Sequence, residues 1–282
     1  MTKTKYMFRK IKKVLAFYYS NKKIYHKSKL CGIELKTLSN TIRKKTDKDD
    51  AWYFALLQNH TTIFDLGCNI GYTSLLAAIQ PNNKKNVLVD PNPEALAKAA
   101  QNMIVNGFGF KSTFITAFVG NQDGKKVKFY TVGSGEAGSM YASHAETASA
   151  VNSFYEVEEI TIDTLVNKVA FIPDLVKIDV EGAESLALEG AVCLAEKQTT
   201  KFFIEMHALK ERSMKENAAL IIDWCDKNHY KAFYLSLMTE LDDANMIASR
   251  GKCHLLLIPT NEHIPVYLTT IKEGDSLPIS IQ

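Results

Sequence analysis

The sequence predicts an α/β fold: a doubly wound, mainly parallel sheet preceded by a basic N-terminal helical arm. Three observations carry that expectation. From residue 51 onward, apolar runs of strand length alternate with longer runs of helical period. Asp65, Asp90, Asp179 and His207 sit at the carboxyl ends of successive strand-like runs, and ligands of doubly wound sheets lie beyond those ends. Charge also divides the chain: residues 1–30 carry +10 and the rest −7, within a net +3 over 282 residues.

That division separates an arm and connector over 1–50 from one α/β domain over 51–282. In the arm, Met7, Phe8, Ile11, Val14, Leu15, Tyr18 and Tyr19 recur at helical spacing, with Arg9, Lys10, Lys12 and Lys13 between them. The pattern predicts a basic amphipathic helix over 5–19. Such a helix suits peripheral contact with an anionic membrane face or packing on the body. A lysine-rich connector follows to about residue 30.

In the body, AWYFALL reads as a buried helix, TTIFDLG as a strand and YTSLLAAI as a helix. NVLVD is the second strand. NPEALAKAAQNMIVNGF is a helix with Asn92 as its cap, Pro93 at its first position and Gly107 past its end. STFITAFVG is the third strand, and KKVKFYT and EVEEITIDTLV are β-like. The small, polar residues 133–150 between them read as a mobile loop over an acceptor site. DLVKIDV is the fourth core strand, ESLALEGAVCLAEK a helix and KFFIEMH the fifth strand. NAALIIDWCDKNHY is a helix, and KAFYLSL and HLLLIPT are the last strands.

A composition of 46% hydrophobic and 23% charged residues is that of a soluble globular chain. The five cysteines are scattered and form no CxxC, which argues against a disulfide framework or a zinc site and for a reducing compartment. No apolar run approaches the roughly 18 residues of a spanning helix, and Lys12 and Lys13 interrupt the only leader-like stretch. The expected location is cytoplasmic, with at most peripheral contact on the inner face of a membrane.

The segment IFDLGCNIGYTS, residues 63–74, joins a strand to a helix through Gly67, Asn69 and Gly71. A dinucleotide site would want glycine where Asn69 stands, and no Walker lysine follows. Asp65 beside the loop would repel a pyrophosphate. Asp90, at the end of the next strand, can accept both hydrogen bonds of a ribose diol. A cationic ligand with a ribose, an amino group and no phosphate fits these residues, and S-adenosylmethionine is one.

Together, FDLGCNIGYTS, VDPNPEALAKAAQNMIVNG, TIDTLV, LVKIDVEGAESLALEGA and FFIEMH resemble, in order, the motifs of class I methyltransferases of the FkbM type. The resemblance covers roughly residues 60–210. It implies a seven-stranded sheet, S-adenosylmethionine as cofactor and methyl transfer to oxygen, in relatives often a hydroxyl of a sugar or a polyketide-type product. Cys68 stands where a small residue is common and Asp90 where Glu is common; either acid can bind a diol.

The expected cofactor residues are Asp65, Gly67, Asn69, Gly71, Tyr72, Asp90 and Asn92; the expected catalytic residues are Asp179, Glu181, Glu205 and His207. Asp179 and Glu181 should share a face by strand alternation. Asp65 has an alternative role in bonding loop amides, and Glu184, in the first turn of a helix, offsets the helix dipole. Displacement from an activated donor needs chiefly alignment. An alcohol must also pass its proton to a carboxylate or histidine within reach. His207, Asp179 and Glu181 all stand open as that base. No resident metal is expected, although the same carboxylates and His207 offer a divalent cation a site.

The expected acceptor is a sugar or glycoconjugate, with no nucleic-acid partner. Two rivals remain. A methyltransferase for nucleic acid or protein is disfavoured because an exocyclic-amine enzyme would carry Asn/Asp-Pro-Pro-aromatic where this chain has Asp179-Val180-Glu181-Gly182. Its net-negative body also offers no surface to track phosphates. A non-catalytic adaptor docking through the arm is disfavoured by the intact loop and carboxylate set.

Overall fold

A computed structural model describes residues 25–131, 138–141, 145, 150 and 152–281. The expected arm helix over 5–19, and all of the 133–150 loop except 138–141, 145 and 150, lie outside the described residues.

The first described elements are a hairpin of β1 (His26–Leu30) and β2 (Ile33–Thr37), where the sequence reads as lysine-rich connector. Its charges alternate outward while Leu30 and Leu35 turn inward, so the connector composition hides a strand pair. Helix α1 (Asp50–Asn59) follows, buried almost throughout, then β3 (Thr62–Leu66), α2 (Tyr72–Ala78), β4 (Lys85–Asp90) and α3 (Pro93–Val105). Ile63, Phe64 and Leu66 are all buried, as expected for a central parallel strand covered on both faces.

Next come β5 (Ser112–Thr116), β6 (Phe118–Val119), β7 (Lys126–Tyr130) and β8 (Phe154–Ile160). The β-like reading of EVEEITIDTLV stops at Ile160. The Thr161 hydroxyl there accepts the Thr164 N–H at 3.1 Å and starts α4 (Ile162–Val169). Strand β9 (Leu175–Ile178) leads to α5 (Glu184–Glu189) and α6 (Val192–Ala195). The sequence reads as one helix there, but the chain breaks at Gly190, where a Cβ would lie 2.2 Å from the Gly120 carbonyl oxygen. The remainder is β10 (Lys201–His207), α7 (Met214–Asn228), β11 (Tyr230–Tyr234), β12 (Thr239–Glu240) and β13 (Lys252–Pro259).

Among the described residues the central sheet has eight strands, in the order β12-β11-β13-β10-β9-β3-β4-β5. This corrects the expected seven-stranded, mainly parallel sheet: the sheet is mixed. Neighbours from β5 to β10 are parallel, whereas β13 is antiparallel to both β10 and β11, and β12 is antiparallel to β11. β12 is only two residues long, too short for alternation to reveal it. One hydrophobic cluster joins Phe64, Val176, Phe202 and Leu255 to α5 and α7 on one face. The other joins Trp52, Leu75, Leu88, Phe203 and Leu256 to α1, α2 and α3, and it includes Leu30 and Leu35 of the hairpin. Among the described residues no helix is long and apolar enough to cross a membrane.

Candidate active site

The glycine loop is fixed from several sides. Gly67 has φ +82°, and a Cβ there would lie 1.8 Å from the carbonyl oxygen of Asp179, so only glycine fits. The N–H groups of Gly67 and Cys68 both donate to Val89 O, at 2.9 and 3.1 Å. Asn69 takes a left-handed φ of 49° and aims its N–H at Asp90 Oδ2, 2.7 Å away. The other Asp90 oxygen accepts the Asn92 N–H at 2.8 Å. Asn92 in turn caps α3, its Oδ1 accepting from Glu94 and Ala95. Burial pushes the Asp90 carboxyl up to about 7, against the pull of the two amide bonds.

Asp90, Asn92, Gly67, Asn69 and Tyr72 line a cavity of about 340 Å³ at the carboxyl ends of the strands. Asp65 and Gly71 do not line it. Asp65 lies beneath the loop, where its Oδ2 accepts the hydroxyls of Thr73 and Ser74 rather than loop amides, and its buried Oδ1 has no partner among the described residues. Gly71 allows the start of α2 to press on α3: a Cβ there would lie 2.9 Å from that of Ala99. Tyr72 donates its hydroxyl to Asp50 Oδ2 at 2.9 Å, and the Arg43 guanidinium stacks on its ring at 4.6 Å.

Asp179, Glu181 and Glu205 form the opposite wall. Strand alternation does not align the first two, because β9 ends at Ile178 and Glu181 sits in a left-handed turn with φ 52°. That turn brings both carboxylates to the cavity, and the Ser139 hydroxyl donates to Glu181 O at 3.0 Å. Lys177, whose position within an apolar strand was its only sequence signal, is fully buried and donates to Asp179 Oδ2 at 2.9 Å. Burial raises the Asp179 carboxyl to about 6, with Lys177 opposing the rise.

His207 lies just behind this wall, buried, and does not line the cavity. Its Nδ1 is 3.0 Å from Glu184 Oε1, and its Nε2 is 3.4 Å from Glu205 Oε1 and 3.5 Å from Glu181 Oε2. Glu184 Oε1 also accepts the Gly182 N–H at 2.8 Å, so the carboxylate read as a dipole partner also orients the histidine. Burial works against a charged imidazole, but Glu184 and Glu205, and the charge of Glu181, hold the His207 pKa well above the ordinary value. Glu205 is held well below the usual carboxylate range: burial opposes this, while His207, His254 and Lys177 favour it.

Potential ligand atoms of Asp179, Glu205 and His207 lie within 4.8 Å of one another, as do those of Asp49, Glu205 and His254. In both groups a lysine already serves a carboxylate, Lys177 on Asp179 and Lys252 on Glu205. That donor set suits an ammonium-compensated carboxylate site better than a divalent cation.

The lining fits S-adenosylmethionine in its chemistry. Asp90 offers acceptors for a diol, Phe118, Val119 and Phe129 offer an apolar face for a base, and the carboxylates suit a positive charge.

The family model described as Methyltransferase FkbM domain matches residues 65–232. Among solved structures the chain is similar to the methyltransferase FkbM of Methylobacillus flagellatus KT, at 14% identity and TM-score 0.47, over 76% of this chain and 48% of that one. It therefore spans about half the length of that relative. It is also similar to an O-methyltransferase from Bacillus cereus in complex with SAH (13% identity, TM-score 0.43, 78% and 84% covered). A SAM-dependent methyltransferase from Agrobacterium tumefaciens is comparable (10% identity, TM-score 0.42, 83% and 69% covered). No curated protein matches the chain.

Proposed function

Because the chain belongs to the FkbM methyltransferase family, we propose that it is an S-adenosylmethionine-dependent O-methyltransferase acting on a hydroxyl of a sugar or glycoconjugate. The observation that carries the oxygen-directed reading is His207, oriented by Glu184 at 3.0 Å and backed by Glu181 and Glu205 beside the cavity. The cavity carboxylates Asp179, Glu181 and Glu205 suit an acceptor with several hydroxyl donors, which supports a sugar.

When bound, S-adenosylmethionine supplies a methyl group already activated on a positive sulfur. Asp90 would hold the ribose, with its carboxylate preset by the amides of Asn69 and Asn92. With Glu184 accepting the Nδ1 proton, Nε2 faces the cavity-lining Glu205 and Glu181, so the proton of the acceptor hydroxyl reaches it through one of those carboxylates. Glu184, Glu205 and Glu181 then stabilise the imidazolium, as the acid of a hydrolase triad does. Lys177 fixes Asp179 at the cavity wall, and Asp179 and Glu181 orient the acceptor through its other hydroxyls.

This arrangement sets the sign of the pH dependence. His207 must be neutral to take a proton, and its pKa is raised, so kcat rises with pH through a midpoint above the ordinary histidine value. Rates from about pH 5.5 to about pH 9.5 check this; an ascending limb centred in the acid range would assign the base to a carboxylate. For the cofactor, Asp90→Ala removes two charge-assisted ribose bonds and weakens S-adenosylhomocysteine binding roughly tenfold or more by calorimetry. Unchanged binding in the folded variant would sink the cofactor assignment.

Labelled S-adenosylmethionine, offered with saccharides from the source organism and read by mass spectrometry, tests the acceptor. Label in a saccharide hydroxyl supports the reading. Label confined to protein or nucleic acid would replace it.

A further inference from the structure

We propose that Arg43, which precedes the family-matched residues 65–232, binds the carboxylate of the cofactor's methionine moiety. The inference rests on S-adenosylmethionine as the cofactor. It follows from the strap between β2 and α1, residues 38–49. Asn40, Thr41, Arg43 and Asp47 of the strap line the same cavity as the glycine loop and Asp90.

The strap is a built wall. The Asn102 side chain on α3 accepts the Leu38 N–H at 2.9 Å and donates to both Thr41 Oγ1 and Ile70 O at 2.9 Å. One amide therefore ties the strap to the glycine loop. The Tyr72 hydroxyl, on Asp50, ties α1 to α2 just beyond it.

The charge pattern singles out Arg43. Among the described residues three cations line the cavity: Arg43, Lys177 and Lys252. Lys177 is buried and committed to Asp179, and Lys252 is committed to Glu205. Arg43 meets Asp47 at 3.2 Å and Asp50 at 3.0 Å, both through Nη1. Those bonds and the Tyr72 ring set the guanidinium plane while its other nitrogens keep donors to offer. A planar, pre-positioned fork suits a carboxylate.

Position agrees with charge. Asp90 and Phe118 mark the nucleoside end over β4 and β6, and the hydroxyl chemistry lies beyond β9 and β10. Arg43 stacks on Tyr72, where the glycine loop enters α2, whereas Asp90 meets that loop at Asn69. The amino-acid tail is the remaining charged part of the ligand.

Calorimetry with two ligands tests this. S-adenosylhomocysteine carries the amino-acid carboxylate; 5′-methylthioadenosine shares the nucleoside and sulfur but lacks the amino acid. Arg43→Gln is expected to weaken S-adenosylhomocysteine at least tenfold and leave methylthioadenosine unchanged, with Arg43→Lys intermediate. Unchanged S-adenosylhomocysteine affinity in Arg43→Gln overturns the proposal. So does an equal loss of both ligands in a variant with the parent's melting temperature, since the strap would then shape the pocket without binding the carboxylate. If the parent chain binds methylthioadenosine but S-adenosylhomocysteine no more tightly, Arg43 has no carboxylate role although the nucleoside site stands. Failure of the parent to bind either ligand removes the cofactor reading itself, and this inference with it.

Discussion

His207→Ala lowers kcat by about 10²–10⁴-fold, the usual cost of losing a general base, while S-adenosylhomocysteine binds as it does to the parent. The separation follows from where the ring sits. His207 is behind the acidic wall, outside the cavity lining, whereas Asp90, Asn92 and the glycine loop line the cavity directly. Removing the imidazole leaves Glu184, Glu181 and Glu205 without their shared cation. The variant therefore also carries like charges close together, although Lys252, His254 and the charge of Lys177 still offset Glu205. His207→Gln keeps a donor for Glu184 but supplies no base, so it should preserve stability better than alanine and turnover no better. Near-parental kcat in both variants on the true acceptor would move the base to Asp179 or Glu181.

Lys177→Met destabilises the fold by about 1–3 kcal/mol, less than the roughly 3–5 kcal/mol lost when a fully buried ion pair is broken, because the remaining Asp179 side chain lines the cavity and is 20% exposed. Methionine keeps most of the stem's packing, so the loss comes from charge. Lys177 is the cation on Asp179, and it also feels Asp65, Glu205 and Asp49. The pH dependence identifies the cause. Burial already places the Asp179 carboxyl at about 6 with the lysine present, and without the lysine it rises further. A carboxyl whose folded-state pKa exceeds its unfolded value costs stability as pH climbs between the two. The deficit in urea unfolding is therefore smaller at about pH 5 than at about pH 8. Equal deficits at both would mean that the lost contacts of the stem, and not the charge, destabilise the variant.

The sequence showed those parts of the site whose partners are near in the chain. The glycine loop, the Asn92 cap and the polar residues at strand ends are local patterns; of the strand-end set, Asp90 and Asp179 line the cavity, while His207 sits just behind its wall and Asp65 beneath the loop. Lys177 was legible only as an oddity, a charge inside LVKI, because its reason is an acid two residues on along with others from different strands. Glu184 looked complete as a helix-start acid; its bond to His207 joins residues 23 apart and needs the fold to be seen. Arg43 and the strap carry no motif, since their contacts to Asn102 and Tyr72 are made by tertiary packing. The sheet count went astray at its edge, where a two-residue strand has no period to read.

The strap and the elements on either side of it, the β1–β2 turn and α1, are braced by residues made much later in synthesis. The Trp52 Nε1–H donates to Ile271 O at 3.2 Å, Gly274 N–H to Lys48 O at 2.9 Å, and Ile281 N–H to Cys31 O at 3.0 Å. A ribosome releases residues 31–52 long before residues 271–281, so the strap waits for its brace through most of translation. The nucleoside end, built from β3, β4 and α3, has its chain in hand far earlier. On the nascent chain the binding cleft is thus open on one side, and it closes as a late step, when segments more than 200 residues apart meet.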